Sequence, residues 1–186
     1  NYVGEWVAEA ERRGLPNVRA TYESLKDIMA AENVTLFSKH AVLSKEELHA
    51  RTEILFEGYS KQVNIEALTM LNMAKRQLLP ACCEYSAKLG KAVAAVSGAG
   101  VSAETQKKML NRVCDLIATM ESRIEALEEA TTKAAAAHGA EKHAESYHEF
   151  VIPAMAALRQ TADELEVIVD AKLWPLPSYA EMLFIR

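Results

Sequence analysis

The sequence predicts an all-α protein: an antiparallel bundle of three long, partly kinked helices with a short helical N-terminal preamble and an extended apolar C-terminal tail. Apolar residues recur at steps of three and four over most of the chain, which is the spacing of one helix face. No run alternates apolar and polar residues over a convincing length, so we expect essentially no β-sheet. The predicted parts are the preamble over residues 1–43, the bundle over 44–173 and the tail over 174–186.

Two helical segments make up the predicted preamble. The first begins near Glu5 and ends at Gly14, and the second covers about residues 22–40 with a weak point at Glu32 and Asn33. The sequence opens with asparagine rather than methionine and runs at once into a helical pattern. We therefore expect it to be a piece of a longer polypeptide.

The first long helix of the bundle is predicted to start at a capping box. Ser44 can accept the amide of Glu47, and the Glu47 carboxylate can reach back to the Ser44 amide. Helical pattern then persists to about Val96. We expect Pro80 to kink this helix, because proline lacks an amide hydrogen and crowds the carbonyl one turn earlier.

The chain is expected to turn back on itself twice to cover this helix. A short loop over residues 97–101 precedes Ser102, the predicted cap of the second helix, and Pro153 interrupts the third. Each helix has one apolar face with a coiled-coil-like rhythm. These faces comprise Leu78, Cys82, Tyr85, Leu89, Val93 and Val96, then Met109, Val113, Leu116, Met120, Ile124 and Leu127, then Tyr147, Val151, Ala154, Leu158, Ala162, Leu165 and Val169.

The tail is the most unusual part of the sequence, because it ends the chain with apolar rather than charged residues. Two prolines cannot continue a helix, so we predict an extended strap that delivers its large side chains to a receiving surface. That surface belongs either to this domain or to another domain or subunit. The side chains concerned are Trp174, Tyr179, Leu183 and Phe184.

Composition limits the partners that the protein can have. Half of the 186 residues are apolar and a quarter are charged, which is typical of a globular protein with a substantial core. A net charge of −5 does not favour nucleic acid, and the densest basic cluster, Lys107, Lys108 and Arg112, fits one solvated helix face. No apolar run is long enough to span a membrane, so we predict a cytoplasmic protein.

Motifs for catalysis are mostly missing from the sequence, which has no phosphate-binding loop, dinucleotide fingerprint, nucleophile elbow or Cys-x-x-Cys. Two Glu-x-x-His pairs, Glu46 with His49 and Glu145 with His148, could form a di-iron carboxylate site if two further helices each supplied a glutamate. Against this, the first pair lies in the first turn of a helix, where acidic residues are expected anyway.

The remaining histidines and cysteines do not have metal-binding spacing. Histidines five residues apart on a helix are rotated by about 140° and cannot share a face. We predict that the cysteines are reduced core residues, and that the chain has no catalytic, cofactor-binding or metal-binding residue. A free-standing di-iron bundle and a helical adaptor protein stay as alternatives. The residues concerned are His138, His143 and His148, and Cys82, Cys83 and Cys114.

Several segments resemble the C-terminal region of type III glutamine synthetases. They follow the order of that family and span nearly the whole chain, whereas residues 96–147 resemble only a generic coiled coil. The segments are EWVAEAERRGLPN at 5–17, ELHARTEI at 47–54, NIEALTM at 64–70, LLPA at 78–81 and WPLPSYAEMLF at 174–184.

Some positions depart from the pattern of that family. Ala41 and Leu43 stand where glycine and phenylalanine are expected, Thr52 replaces an expected tyrosine, and Ala180 and Glu181 replace Gly-Asp. An alanine at position 41 argues against a tight left-handed turn before the long helix.

The resemblance implies that the parent enzyme joins ammonia to glutamate with ATP, through a glutamyl phosphate formed between divalent cations, Mg or Mn. That chemistry needs clustered carboxylates and arginines on a rigid scaffold, which the resemblance places in an upstream catalytic domain. This region would then be non-catalytic and structural or oligomer-stabilising. Its implied partners are the upstream catalytic domain and the other subunits of a homo-oligomer of stacked hexameric rings.

Overall fold

The computed structural model describes residues 4–184, and within that range the protein is built from helices with no strand. The predicted all-α class is therefore confirmed. The parts of the predicted preamble and tail that fall on residues 1–3 and 185–186 lie outside the described residues.

Three short helices precede the long ones: α1 (Gly4–Arg12), α2 (Thr21–Ile28) and α3 (Ala31–Lys39). α1 ends as predicted, because Gly14 takes φ +71° and lets the Leu15 amide donate to the Ala10 carbonyl. The predicted weak point at Glu32 and Asn33 was slightly misplaced, since the break falls between α2 and α3. There the Asn33 side chain donates to the Asp27 carbonyl at 2.6 Å, which satisfies a carbonyl at the end of α2.

The turn after α3 is left-handed, contrary to the expectation from Ala41. This alanine has φ +50°, while its amide donates to Ser38 and the Val42 amide donates to Phe37. These two hydrogen bonds define a Schellman motif, in which the left-handed position is usually glycine. The hydrogen bonds at the end of α3 hold the alanine in this conformation.

α4 (Lys45–Met73) and α5 (Leu79–Gly98) form one long run of helix, joined by a first π-helical turn (Ala74–Leu78). The predicted capping box starts it, with Ser44 and Glu47 exchanging hydrogen bonds of 3.1 and 2.8 Å. Pro80 is the second residue of α5, one residue beyond the π-helical turn. The wider turn places one extra residue before the proline, which gives its ring room.

The second half of the chain repeats this arrangement. α6 (Glu104–Ala135) is followed by α7 (Ala140–Ser146), a second π-helical turn (Tyr147–Val151) and α8 (Ile152–Glu166), which carries Pro153 in its first turn. The predicted cap at Ser102 is wrong. The residue before α6 is Ala103, which makes no side-chain cap, and the chain reverses through Gly100 at φ +76°.

The core lies where α5 packs against α6, α6 against α8, and α4 against α7. Nearly all the predicted apolar positions are buried or half-buried, but Met109 is exposed. Of the three cysteines only Cys82 is in the core; Cys83 and Cys114 are exposed, which corrects the prediction. Each of these two follows a buried residue, Cys82 or Val113, and so points about 100° away from the core.

The tail is extended only as far as Ser178. A second capping box, between Ser178 and Glu181, starts the short helix α9 (Tyr179–Leu183), so the prediction of an extended strap is wrong for these residues. Leu173, Trp174 and Leu176 pack against the core. Beyond Ser178 the apolar side chains are exposed.

Candidate functional site

An apolar groove lies between α4, α8 and the tail. Its volume is about 760 Å³. A shallower depression of about 730 Å³ continues it along α8 and shares several of its residues. We call these two together the α4–α8 groove. Its apolar lining comprises Ile65, Met70, Met73, Leu78, Ile152, Met155, Leu158, Ala162, Val167, Leu176, Pro177 and Met182.

Helix periodicity explains how these residues meet. On α4 and the π-helical turn, Met70, Met73 and Ala74 follow at steps of three and one and lie on neighbouring faces. The tail supplies the third wall, because Leu176 is anchored in the core and Pro177 then carries the chain past α4. Methionine is unbranched and adaptable, so a groove rich in it can fit more than one apolar shape.

The rim of the groove is acidic. Arg159 lies 3.4 Å from both carboxylate oxygens of Asp163 and is partly neutralised by that residue on its own helix. Glu66, Glu164 and Glu166 add three further carboxylates to the rim. The rim therefore favours a positively charged edge on anything that fills the groove.

The buried titratable groups are held in their neutral forms. Burial raises the pKa of the Cys82 thiol to about 11. Burial, followed by the negative charge of Glu145, raises the pKa of Tyr22 to about 12, and burial also raises the pKa of Tyr147. A thiol with such a pKa is a poor nucleophile near neutral pH, so these groups act as packing residues.

The two Glu-x-x-His pairs are not brought together into a metal site. His49 contacts Glu53 on its own helix at 3.8 Å, and His148 stacks on Tyr22 with ring centroids 5.1 Å apart. Across residues 4–184, no three histidine, cysteine, aspartate or glutamate side chains gather in a way that could hold a metal ion.

A membrane-spanning role also finds no support among the described helices, since none combines the length and the apolar character that a span requires. The fold and the groove together define an all-α region with an apolar groove, and its ionisable groups are dispersed over the helices.

Comparison with known proteins identifies the family. Residues 1–97 match the family described as glutamine synthetase C-terminal domain. Over 185 residues the chain is 35% identical to a glutamine synthetase of Butyrivibrio fibrisolvens, covering 98% of this chain and 26% of that protein. It is 35% identical over 192 residues to a type-3 glutamine synthetase of Dictyostelium discoideum, covering 100% of this chain and 26% of that protein.

A glutamine synthetase of Bacteroides fragilis (strain YCH46) is 26% identical over 191 residues, with 100% of this chain and 26% of that protein covered. The chain belongs to the glutamine synthetase C-terminal domain family, as the resemblance indicated. It spans about a quarter of the length of these curated relatives.

The family match covers α1–α5 and stops before α6. The α4 wall of the groove lies inside the match, whereas the α8 wall and the tail lie outside it. Sequence reasoning did not find this groove. The available signal was the pair of methionines at 70 and 73, of which Met70 was noted only within the NIEALTM segment of the resemblance.

Proposed function

We propose that this chain is the non-catalytic helical C-terminal region of a type III glutamine synthetase. The parent polypeptide would ligate ammonia to glutamate at the expense of ATP. The observation that carries the proposal is 35% identity, over essentially the whole chain, to two glutamine synthetases of which the matched part is 26%. A cytoplasmic location fits a ligase of this kind.

ATP and its Mg or Mn ions would bind in the upstream catalytic domain. Phosphoryl transfer needs carboxylates grouped around divalent cations and cations placed against the transferred group. The acidic side chains lie instead along exposed helix faces, and some are paired with a basic residue three or four positions away, such as Glu57 with Lys61. This arrangement supports a structural role.

The structural role would be to stabilise the parent assembly, as part of a homo-oligomer of stacked hexameric rings that contains the upstream domain. Large apolar side chains on the described surface support this proposal, because such groups are usually covered in an assembled protein. They include Ile54 and Leu68 on α4 and the side chains of α9.

The experiment that tests the proposal compares the full-length parent enzyme with a version that lacks residues 44–186. We expect the full-length enzyme to have glutamate-dependent ammonia-ligase activity. The deletion should reduce the number of subunits per particle, calculated from the native mass, and reduce the activity at least tenfold. Mass photometry and a product assay give the two readouts.

A folded control separates this effect from general misfolding. In the full-length enzyme, Leu127→Asp places a charge in the core of the region, and Val101→Asp places the same charge at an exposed turn. Only the first should reproduce the deletion. A full-length protein without ligase activity would refute the assignment to the glutamine synthetases. A deletion that leaves both the number of subunits and the activity unchanged would refute the structural role.

A further inference from the structure

We propose that the α4–α8 groove and α9 together bind an apolar, basic-flanked segment of the upstream part of the parent polypeptide. This inference rests on the proposed function, because it requires that the chain is one region of a longer enzyme. It adds the surface that is used and the chemistry of the segment that covers it.

The most exposed large apolar side chains among the described residues lie at this surface. Tyr179 and Leu183 of α9, and Phe184 directly after it, are 82%, 77% and 77% exposed, although α9 is a regular capped helix. Ile65 on the α4 wall and Val167 at the end of α8 line the groove and are also exposed. A patch of this kind, continuous with an apolar groove, is typical of a surface that is covered in the assembled protein.

Only one side of α9 faces the groove. Tyr179 and Met182, three residues apart, line the groove, while Leu183 and Phe184 do not. An isolated five-residue helix is too short to be stable by its own hydrogen bonds. A covering segment that contacts both α9 and the open groove would bury both sides of this helix.

The length of the relatives favours an upstream segment as the occupant. This chain accounts for 26% of each relative, so about three quarters of the parent lies outside the structure. A segment tethered in the same polypeptide by a short flexible linker has an effective concentration in the millimolar range. The α4 wall also lies in the part that matches the family.

The rim charges determine the chemistry of the segment. Four carboxylates lie along the groove, on Glu66, Asp163, Glu164 and Glu166, and Arg159 is the one cation among the described residues that line it. The complementary surface is an apolar strip with lysine or arginine beside it. Opposite charges at the rim would fix the register of the segment, and the methionines would adapt to its side chains.

Methionine oxidation provides a built-in test, because the chain has two methionines of matched exposure. Met182 in the groove is 49% exposed, and Met109 near the start of α6 is 42% exposed. The full-length enzyme is treated with dilute hydrogen peroxide, and sulfoxide formation at both sites is followed by peptide mass spectrometry. We expect Met182 to oxidise at least fivefold more slowly than Met109; equal rates would overturn the proposal.

A crosslink identifies the occupant. A photoreactive phenylalanine analogue at position 179 of the full-length enzyme should form an adduct with a peptide from the upstream part that contains lysine or arginine. An adduct with residues 1–186 of a second copy, or no protein adduct at all, would overturn the proposed occupant.

Charge reversal at the rim tests the basic flank. Glu166→Lys in the full-length enzyme should raise the oxidation rate of Met182 several-fold, while Glu125→Lys on an exposed position of α6 should leave it unchanged. An identical Met182 rate in both variants would refute the basic flank. Ligase activity is measured on the same samples. Activity without Met182 protection refutes the docking surface alone, and protection without activity refutes the proposed enzyme.

Discussion

Ala41 adopts a backbone conformation that an alanine normally avoids. Its φ of +50° lies in the left-handed region, where the Cβ atom crowds the following carbonyl at a cost of about 1 kcal/mol. The hydrogen bonds at the end of α3 require this conformation, because they pair the last carbonyls of the helix. A glycine would make the same turn without the steric cost.

We therefore expect Ala41→Gly to stabilise the protein by up to about 0.5 kcal/mol, because the extra chain entropy of glycine offsets about 0.5–1 kcal/mol of the relieved strain. The measurement is urea unfolding followed by circular dichroism. Ala50→Gly is the matched control, because it lies at an exposed position within α4 and should instead destabilise by about 1 kcal/mol. Equal effects of the two changes would show that the turn at Ala41 is not strained.

The cysteines provide a second prediction at the scale of single residues. Cys82 is buried, and burial raises the pKa of its thiol to about 11, while Cys83 and Cys114 are exposed. Alkylation of the native protein with iodoacetamide at pH 8 should modify the two exposed cysteines and leave Cys82 unmodified, as read by peptide mass spectrometry. Rapid modification of Cys82 would contradict its placement in the core.

The same burial gives a pH dependence with a definite sign. An acid whose pKa is higher in the folded state binds more protons folded than unfolded, so its neutral form favours the fold. The contribution of Cys82 is therefore present below the unfolded pKa near 9 and is lost as the pH rises from about 9 towards about 11. The free energy of unfolding should fall more steeply over this range in the wild-type protein than in Cys82→Ala, with Cys83→Ala as the control.

At the scale of helices, each of the two π-helical turns accommodates a proline within a helical run. Each directly precedes the helix whose first turn contains a proline, Pro80 or Pro153. In the first turn the Leu79 amide donates to Ala74, five residues back, instead of to the residue four back. The extra residue makes room for the proline ring within a continuous helix.

Deletion of one exposed residue from the first π-helical turn tests this explanation. Removing Gln77 should restore a regular α-helix and bring Pro80 against the carbonyl one turn earlier, which costs about 3 kcal/mol. Adding Pro80→Ala to the deletion should recover most of this loss, as measured by urea unfolding. If the proline-free deletion is no more stable than the deletion alone, the π-helical turn has another cause.

The helices themselves could be predicted from the sequence, because their apolar faces have a strong period. The capping box at Ser44 and the end of α1 at Gly14 could also be predicted, since both depend on local residues. The π-helical turns could not be predicted, because they depend on how the helices on both sides keep their register against the core. α9 was missed although Ser178 and Glu181 have the spacing of a capping box, because the prolines before it dominated the prediction.

At the scale of the whole molecule, the apolar face of α6 has a buried and an exposed end. Leu127 is fully buried, and Met109 at the other end of the predicted face is exposed. We expect Leu127→Ala to destabilise by about 3–5 kcal/mol and Met109→Ala by less than about 0.5 kcal/mol. Thermal and urea unfolding measure both; similar losses would mean that Met109 is covered in solution.

The groove belongs to the whole molecule in a way that the sequence did not reveal. Its walls come from α4, α8 and the tail. The centres of α4 and α8 are roughly a hundred residues apart along the chain, and about ten residues separate the end of α8 from Leu176 in the tail. Periodicity assigns a face to each helix but does not say which faces meet. The apolar tail was correctly recognised as unusual, whereas its pairing with Met70 and Met155 depended on the packing of α6 between the other helices.

The order of the helices along the chain has a consequence for synthesis. The family match ends at residue 97, yet α5 buries its apolar face against α6, and α6 in turn packs against α8, which ends at Glu166. At roughly 5–20 residues per second, the nascent chain takes several seconds to supply these partners after α5 has been made. During that interval the apolar faces of α4 and α5 lack the helices that cover them in the folded protein, which makes the nascent chain prone to aggregation.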